Sequence, residues 1–230
     1  MKALLLATLL LALTGCAADG RIDWQALNGK PGECPKPTPE QELSLNLADD
    51  MANEGRLHAS LANLEGLPGN LLQVRLRKAR VLRQLGRSDA EPLYRGLLGT
   101  CLAAEGEHGL GQLAAARGDN GLAMSHLQRA ARLSPTDDKI RNDLGVVYLN
   151  QLRLDDARFE FLTAMELKQE DPLAASNLVT LLLYQDNWKQ AAELVSRAHL
   201  TPDQVNAAQA RAEKLRSGVK VVATLDAPAK

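Results

Sequence analysis

A spacing of 34 residues constrains this chain more than any other feature. When Leu110-Gly111, Leu144-Gly145 and Leu178-Val179 are placed beneath one another, later positions also fall into line. These are Ala123, Ala157 and Ala191; Leu127, Phe161 and Val195; and Ala130, Ala164 and Ala198. From Glu40 to about Ser217 the apolar residues follow helical steps, and no alternating strand pattern intervenes. A unit of this length cannot bury its own apolar face, so the fold must come from stacking neighbours. Small residues let the two helices of a hairpin approach, and a large apolar residue fills the gap to the next hairpin. Only seven aromatic residues occur in 230, which leaves the core to Leu, Ala and Val.

This pattern resembles the tetratricopeptide repeat, a hairpin of two antiparallel helices with a small pair early, an alanine at mid-unit, and a large apolar residue then an alanine later. The middle unit carries the most matches: Leu144, Gly145, Tyr148, Ala157, Phe161 and Ala164. The first unit ends on Pro135, where the family ends its unit. The later prolines are displaced, Pro172 coming three residues late and Pro202 one early, and the family's early tryptophan is missing from all three units. Asp171-Pro172 and Thr201-Pro202 still read as helix starts, a capping side chain followed by proline in the first turn. The resemblance implies an all-α solenoid of about five helical hairpins, three clear and two degenerate, plus a capping helix. The clear repeats span 104–137, 138–171 and 172–205. The degenerate hairpins occupy 40–101, with breaks at Asn53-Glu54-Gly55 and Leu85-Gly86-Arg87-Ser88. The capping helix takes 206–217, and 218–230 reads as a disordered tail.

In such a stack the first helix of every unit lines a groove that takes an extended peptide or a helix. That places Lys139, Asn142, Val146 and Leu149 on the groove side of the middle repeat. Ser176, Thr180 and Leu183 hold the same side of the last, since steps of three or four residues share a helical face. Asn142 suits a ligand backbone because its amide both donates and accepts.

The start of the chain has a different texture. Residues 1–15 hold one charge, Lys2, and an apolar run from Ala3 to Leu13, the length of a secretory signal and too short to span a bilayer. Leu13-Thr14-Gly15-Cys16 resembles the lipobox of bacterial lipoproteins. The resemblance implies diacylglycerol on the Cys16 sulfur, cleavage before it and acylation of the new amine. Two or more acyl chains anchor durably, each buried methylene contributing about 0.8 kcal/mol. Ala17 after the cysteine favours the outer membrane by the usual enteric sorting rule, so the expected location is its periplasmic face. Residues 16–39, rich in glycine and proline, read as a lipidated flexible tether. Cys34 and Cys101 either form a disulfide in an oxidising periplasm or stand as two separate small residues; the sequence leaves both open.

The chain offers little chemistry. A formal net charge of -1 gives no basic surplus for nucleic acid. Gly109-Leu110-Gly111-Gln112-Leu113-Ala114 fits a dinucleotide fingerprint, but that motif works at a turn leaving a strand, and here it lies inside a repeat helix, where small residues serve packing. His58, His108, His126 and His199 lack paired metal-ligand spacing, and neither His-Glu-x-x-His nor Gly-x-Ser-x-Gly occurs. No catalytic residue, metal site, small-molecule substrate or cofactor is expected, apart from the covalent lipid on Cys16. The basic stretch VRLRKARVLR, with Arg75, Arg77, Lys78, Arg80 and Arg83, reads as a solvated helix beside Glu40, Glu42, Asp49, Asp50 and Glu54. Anionic lipid or an acidic partner is its alternative.

Function must then live in a protein-binding surface. Residues 142–195, NDLGVVYLNQLRLDDARFEFLTAMELKQEDPLAASNLVTLLLYQDNWKQAAELV, resemble the TadD-type lipoproteins of the tight-adherence (Flp) pilus machinery, and the likeness extends over roughly residues 100–205. It implies a non-enzymatic scaffold, or pilotin, that helps the pilus secretin reach, insert or multimerise in the outer membrane, the groove carrying a piece of the secretin. The alternative client is another envelope machine, through a type IV pilus pilotin or a BamD-like role in outer-membrane protein assembly. A cell-wall enzyme is a third reading, and no segment outside the helices is long enough to house its catalytic domain.

Overall fold

The computed structural model describes residues 34–169 and 171–218. The expected signal peptide, the lipidation site Cys16, the tether before Cys34 and the tail beyond Gly218 lie outside the described residues. Eleven helices and no strand occur among those described: α1 (Pro39–Asn53), α2 (Leu57–Glu65), α3 (Leu72–Gln84), α4 (Ala90–Arg95), α5 (Ala103–Ala116), α6 (Asn120–Leu133), α7 (Asp138–Asn150), α8 (Leu154–Leu167), α9 (Pro172–Tyr184), α10 (Trp188–Arg197) and α11 (Pro202–Arg216). The first ten pair as five hairpins, each packing on the next, and α11 packs on α9.

One kind of turn closes all five hairpins. A backbone N–H reaches back to the carbonyl five residues earlier: Arg56 to Met51, Arg87 to Leu82, Asp119 to Ala114, Arg153 to Tyr148 and Asn187 to Leu182, at 2.8–3.0 Å. The residue before each donor is left-handed: Gly55, Gly86, Gly118, Leu152 and Asp186, with φ from 57° to 77°. This is the closure that satisfies the last carbonyls of a helix, and glycine enters it without steric cost. The five turns stand 31, 32, 34 and 34 residues apart. The first two hairpins therefore share the turn of the regular repeats and lack their length. The missing length falls on second helices, α2 having 9 residues and α4 only 6, against 14 in both α6 and α8.

Inside the regular repeats the sizes of facing residues are complementary. A Cβ added at Gly145 would stand 2.6 Å from the Phe161 ring, and one at Gly111 would stand 2.7 Å from Leu127 Cγ. Both are closer than real Cβ contacts. In the third repeat the small position grows to Val179 and the large one shrinks to Val195. One continuous apolar core runs from Ala114 to Leu215, while the upstream hairpins hold two smaller clusters, one around Leu45, Leu64 and Val74 and one around Leu82, Tyr94 and Leu110. The fingerprint-like glycines belong to this packing, since a Cβ on Gly109 would lie 2.1 Å from the Tyr94 ring.

The absent tryptophan has a structural substitute. Three residues ahead of Leu110 and Leu144, where the family pattern puts tryptophan, stand Glu107 and Arg141. Glu107 accepts from Arg129 at 2.8 Å and lies 2.6 Å from His126 Nδ1, bridging α5 to α6. Arg141 donates to Glu160 at 3.1 Å, bridging α7 to α8 with the charges exchanged. The third unit has buried Ala175 there.

Polar side chains start the helices where the sequence placed them. Asp171 accepts from Leu173 N at 2.9 Å, and Thr201 and Gln204 form a reciprocal capping box. That box starts α11 at Pro202, ahead of the boundary at 206 drawn from the repeat period. Cys34 and Cys101 are bonded to one another, their Cα atoms 5.4 Å apart, within the range a disulfide spans. The basic stretch lies on α3, where Arg77 pairs with Asp49 at 2.9 Å and Arg75 donates to the Gly96 carbonyl at 2.9 Å.

Candidate functional site

The first helices of the regular units, α5, α7 and α9, lie in a row that α11 extends. Each brings polar residues to the seam with its neighbour, and these connect end to end. His108 Nε2 lies 2.6 Å from Asp143 Oδ2, which also accepts from Gln112 Nε2 at 2.9 Å. Asn142 donates to Asp143 Oδ1 at 3.2 Å and accepts from Asn177 at 2.8 Å. Asn177 in turn accepts from Arg211 Nη1 at 2.9 Å, while Arg211 Nη2 reaches Ser176 Oγ at 3.1 Å. Burial holds the Arg211 guanidinium below the usual arginine value, yet it stays protonated at neutral pH. Arg211 stands one 34-residue period after Asn177, and Asn177 one period after Asp143, so α11 occupies the place of a fourth first helix.

This ladder changes the expected groove. Asn142, Val146, Leu149, Ser176, Thr180 and Leu183 are all buried. Among the polar ones, Asn142 and Ser176 are bonded across the seam, to Asn177 and Arg211, while Thr180 donates to the Ser176 carbonyl of its own helix. Of the seven residues placed in the groove, only Lys139 is exposed. A small recess beside it, between the first turns of α7 and α9, is lined by Asp138, Lys139, Asn142, Ala164, Asp171, Leu173 and Ala174. Burial alone would raise the Asp171 carboxyl, but the Leu173 amide and Lys168 outweigh it and hold the group below the usual carboxylate range. The sequence carries a signal for the ladder, a polar residue recurring at the 34-residue period at Asp143, Asn177 and Arg211.

Two more carboxylates are displaced in opposite directions. Burial pushes the Glu160 carboxyl up, with Arg141 opposing it incompletely. Burial acts the same way on Glu107, yet hydrogen bonds from Arg129 and His126 win and hold it low. The four histidines divide evenly: His108 and His126 sit in these networks, and His58 and His199 are exposed. Among the described residues no group of three or more His, Cys, Asp or Glu could hold a metal ion, and no helix is long and apolar enough to cross a membrane. Exposed large apolar residues of the regular units occupy the second-helix row and its turns, led by Phe159 at 63 % exposure, with Leu133, Leu162 and Leu167; none lies on α5, α7 or α9.

Comparison with known proteins agrees with this architecture. A family model described as tetratricopeptide repeat matches residues 114–180. The TPR repeat-containing protein PA4299 of Pseudomonas aeruginosa is 46% identical over 215 residues, covering 92% of this chain and 85% of that protein. Among solved structures, that of Pseudomonas aeruginosa PilF covers 77% of this chain and 84% of its own at 16% identity, with a TM-score of 0.60. TTC0263, a thermophilic protein of the same repeat class from Thermus thermophilus, covers 76% of this chain and 98% of its own at 20% identity, with a TM-score of 0.58. At these identities the two structures speak to the fold alone.

Proposed function

Because this chain belongs to the tetratricopeptide-repeat protein family, whose members present surfaces to protein partners, we propose that it is a non-enzymatic scaffold of the bacterial outer membrane. It is held at the periplasmic face by lipid on Cys16 and assists assembly of a tight-adherence pilus. Its partner is the pilus secretin or another pilus assembly component, which it helps to localise or multimerise. The observation that carries this reading is the coincidence, in one chain, of a lipobox at Leu13–Cys16 with a repeat stack whose most regular part is the segment resembling tight-adherence lipoproteins. The lipid directs the protein to the membrane and the stack brings the client there. With the seam between first helices filled by its own ladder, client contact at that row falls to Lys139 and the recess beside it.

The test is a detergent pull-down of the tagged, lipidated protein from its native envelope beside a Cys16→Ala copy, with mass spectrometry of what accompanies each. A dominant pilus secretin that loses its outer-membrane oligomer in the Cys16→Ala strain supports the reading. Recovery of type IV pilus or barrel-insertion components instead assigns the scaffold to another envelope machine.

A further inference from the structure

The two ends of the solenoid are finished differently. Terminal units of a repeat array ordinarily present a polar outer face to water. Helix α11 does so: its exposed residues include Asp203, Gln204 at half exposure, Gln209, Glu213 and Lys214, and it shows no exposed large apolar side chain. Helix α1 does not. Leu43 is 71% exposed and Leu47 is 44% exposed, while Leu45 and Ala48 supply its buried side. Leu43 and Leu47 stand four residues apart, so they share one face of the helix.

The charges that α1 itself carries have one sign. Helix α1 carries Glu40, Glu42, Asp49 and Asp50 and no lysine or arginine, and α2 carries none either. Asp49 is taken by Arg77 of α3, and Glu54, just past the helix, by Arg56. No ion pair engages Glu42 or Asp50 among the described residues, and both are exposed. Lys36 lies ahead of the helix, before its cap at Thr38. An apolar pair flanked by uncompensated carboxylates complements an amphipathic helix with leucine-like anchors and basic flanks.

We propose that the outer face of α1 docks a cationic amphipathic helix of a protein partner. The proposal rests on the scaffold reading only in taking a protein segment as ligand; it does not depend on the pilus assignment. The leucines supply the contact area, and the carboxylates steer and select the partner, so the interaction weakens as salt screens them.

The full-length chain is titrated, by fluorescence anisotropy, with a synthetic helical peptide of roughly five turns bearing leucines on one face and lysines beside them, and with the same peptide carrying glutamates in place of lysines. The lysine peptide is expected to bind and the glutamate peptide to fail. Leu43→Ser with Leu47→Ser, or Glu42→Lys with Asp50→Lys, is expected to weaken binding by about tenfold or more, and Phe159→Ser to leave it unchanged. These positions are exposed, so helix content by circular dichroism should not move. Absence of binding, or binding unaffected by both double variants, overturns the proposal. So does a concentration-dependent dimer that the leucine variant abolishes, which makes a second copy the occupant. Increased deuterium uptake at residues 40–50 on deleting 17–33 likewise overturns it, by making the chain's own leader the cover. Loss of the secretin from the pull-down leaves this result untouched.

Discussion

The upstream hairpins, α1 to α4, and the regular repeats, α5 to α10, close with the same turn yet are held together differently. In the regular part Gly111 and Gly145 face Leu127 and Phe161 across their hairpins, ion pairs take the tryptophan position in two of the three units, and a polar ladder runs between first helices. Upstream, α2 and α4 are short, the apolar clusters are small, and the hairpins lie between two bonded cysteines 67 residues apart. Packing complementarity and a covalent bracket are thus alternative ways to hold a stack whose single units are not stable alone.

The sharpest way to break this contrast is to empty the regular core. Phe161→Ala is expected to cost about 3–5 kcal/mol, seen in chemical denaturation, with hydrogen-exchange protection lost throughout α5 to α11; loss confined to α7 and α8 would show that the repeats do not share one core. Removing the bracket with Cys34→Ser should cost about 2–4 kcal/mol, with protection lost within 34–101 and retained beyond. Where the two regions meet, Gly109→Ala forces a methyl into the Tyr94 ring and should cost about 1–3 kcal/mol. That variant should separate one thermal transition into two, as calorimetry would show.

Smaller changes sharpen the comparison. Leu152 and Asp186 take the left-handed turn position that upstream hairpins give to glycine. Leu152→Gly should therefore stabilise the middle repeat by about 1 kcal/mol in denaturant titrations. The smallest expected effect is on pH dependence. Glu107, held low in the fold, contributes stability that is present above the unfolded carboxylate value and lost as pH falls through its folded value. Glu160, held high, does the reverse, its contribution present below the unfolded value and lost as pH rises through the folded one. Glu107→Gln should flatten the acid limb of stability against pH, and Glu160→Gln should remove the decline above it. Denaturation midpoints across the acid range would check both.

The regular repeats were legible because a strict period puts the same demand on the same position three times. The spacing marks Leu127 and Phe161 as the large positions but sends them to the gap before the next hairpin, whereas they pack on Gly111 and Gly145 of their own. Upstream, the turn interval shortens to 31 and 32 residues, so superposing 34-residue windows misaligns the hairpins even though Gly55 and Gly86 mark their turns. Groove membership was the least legible feature. Helical spacing places Asn142, Ser176 and Thr180 on one face, but whether that face is open depends on how near the next helix comes. That distance is set by Ala174, Ala175 and the bonds from Asn177 to Asn142 and from Arg211 to Asn177, a three-helix matter that periodicity along one helix does not encode.

The bond between Cys34 and Cys101 also redirects mechanical load. Tension applied to any residue before Cys34 passes through the sulfurs to the residues just ahead of α5, and from there into the regular repeats. Helices α1 to α4 sit on a side loop of that path and carry none of it. A protein pulled by its leader while its client pulls on the repeats would therefore stretch its best-packed part and leave its shortest helices at rest.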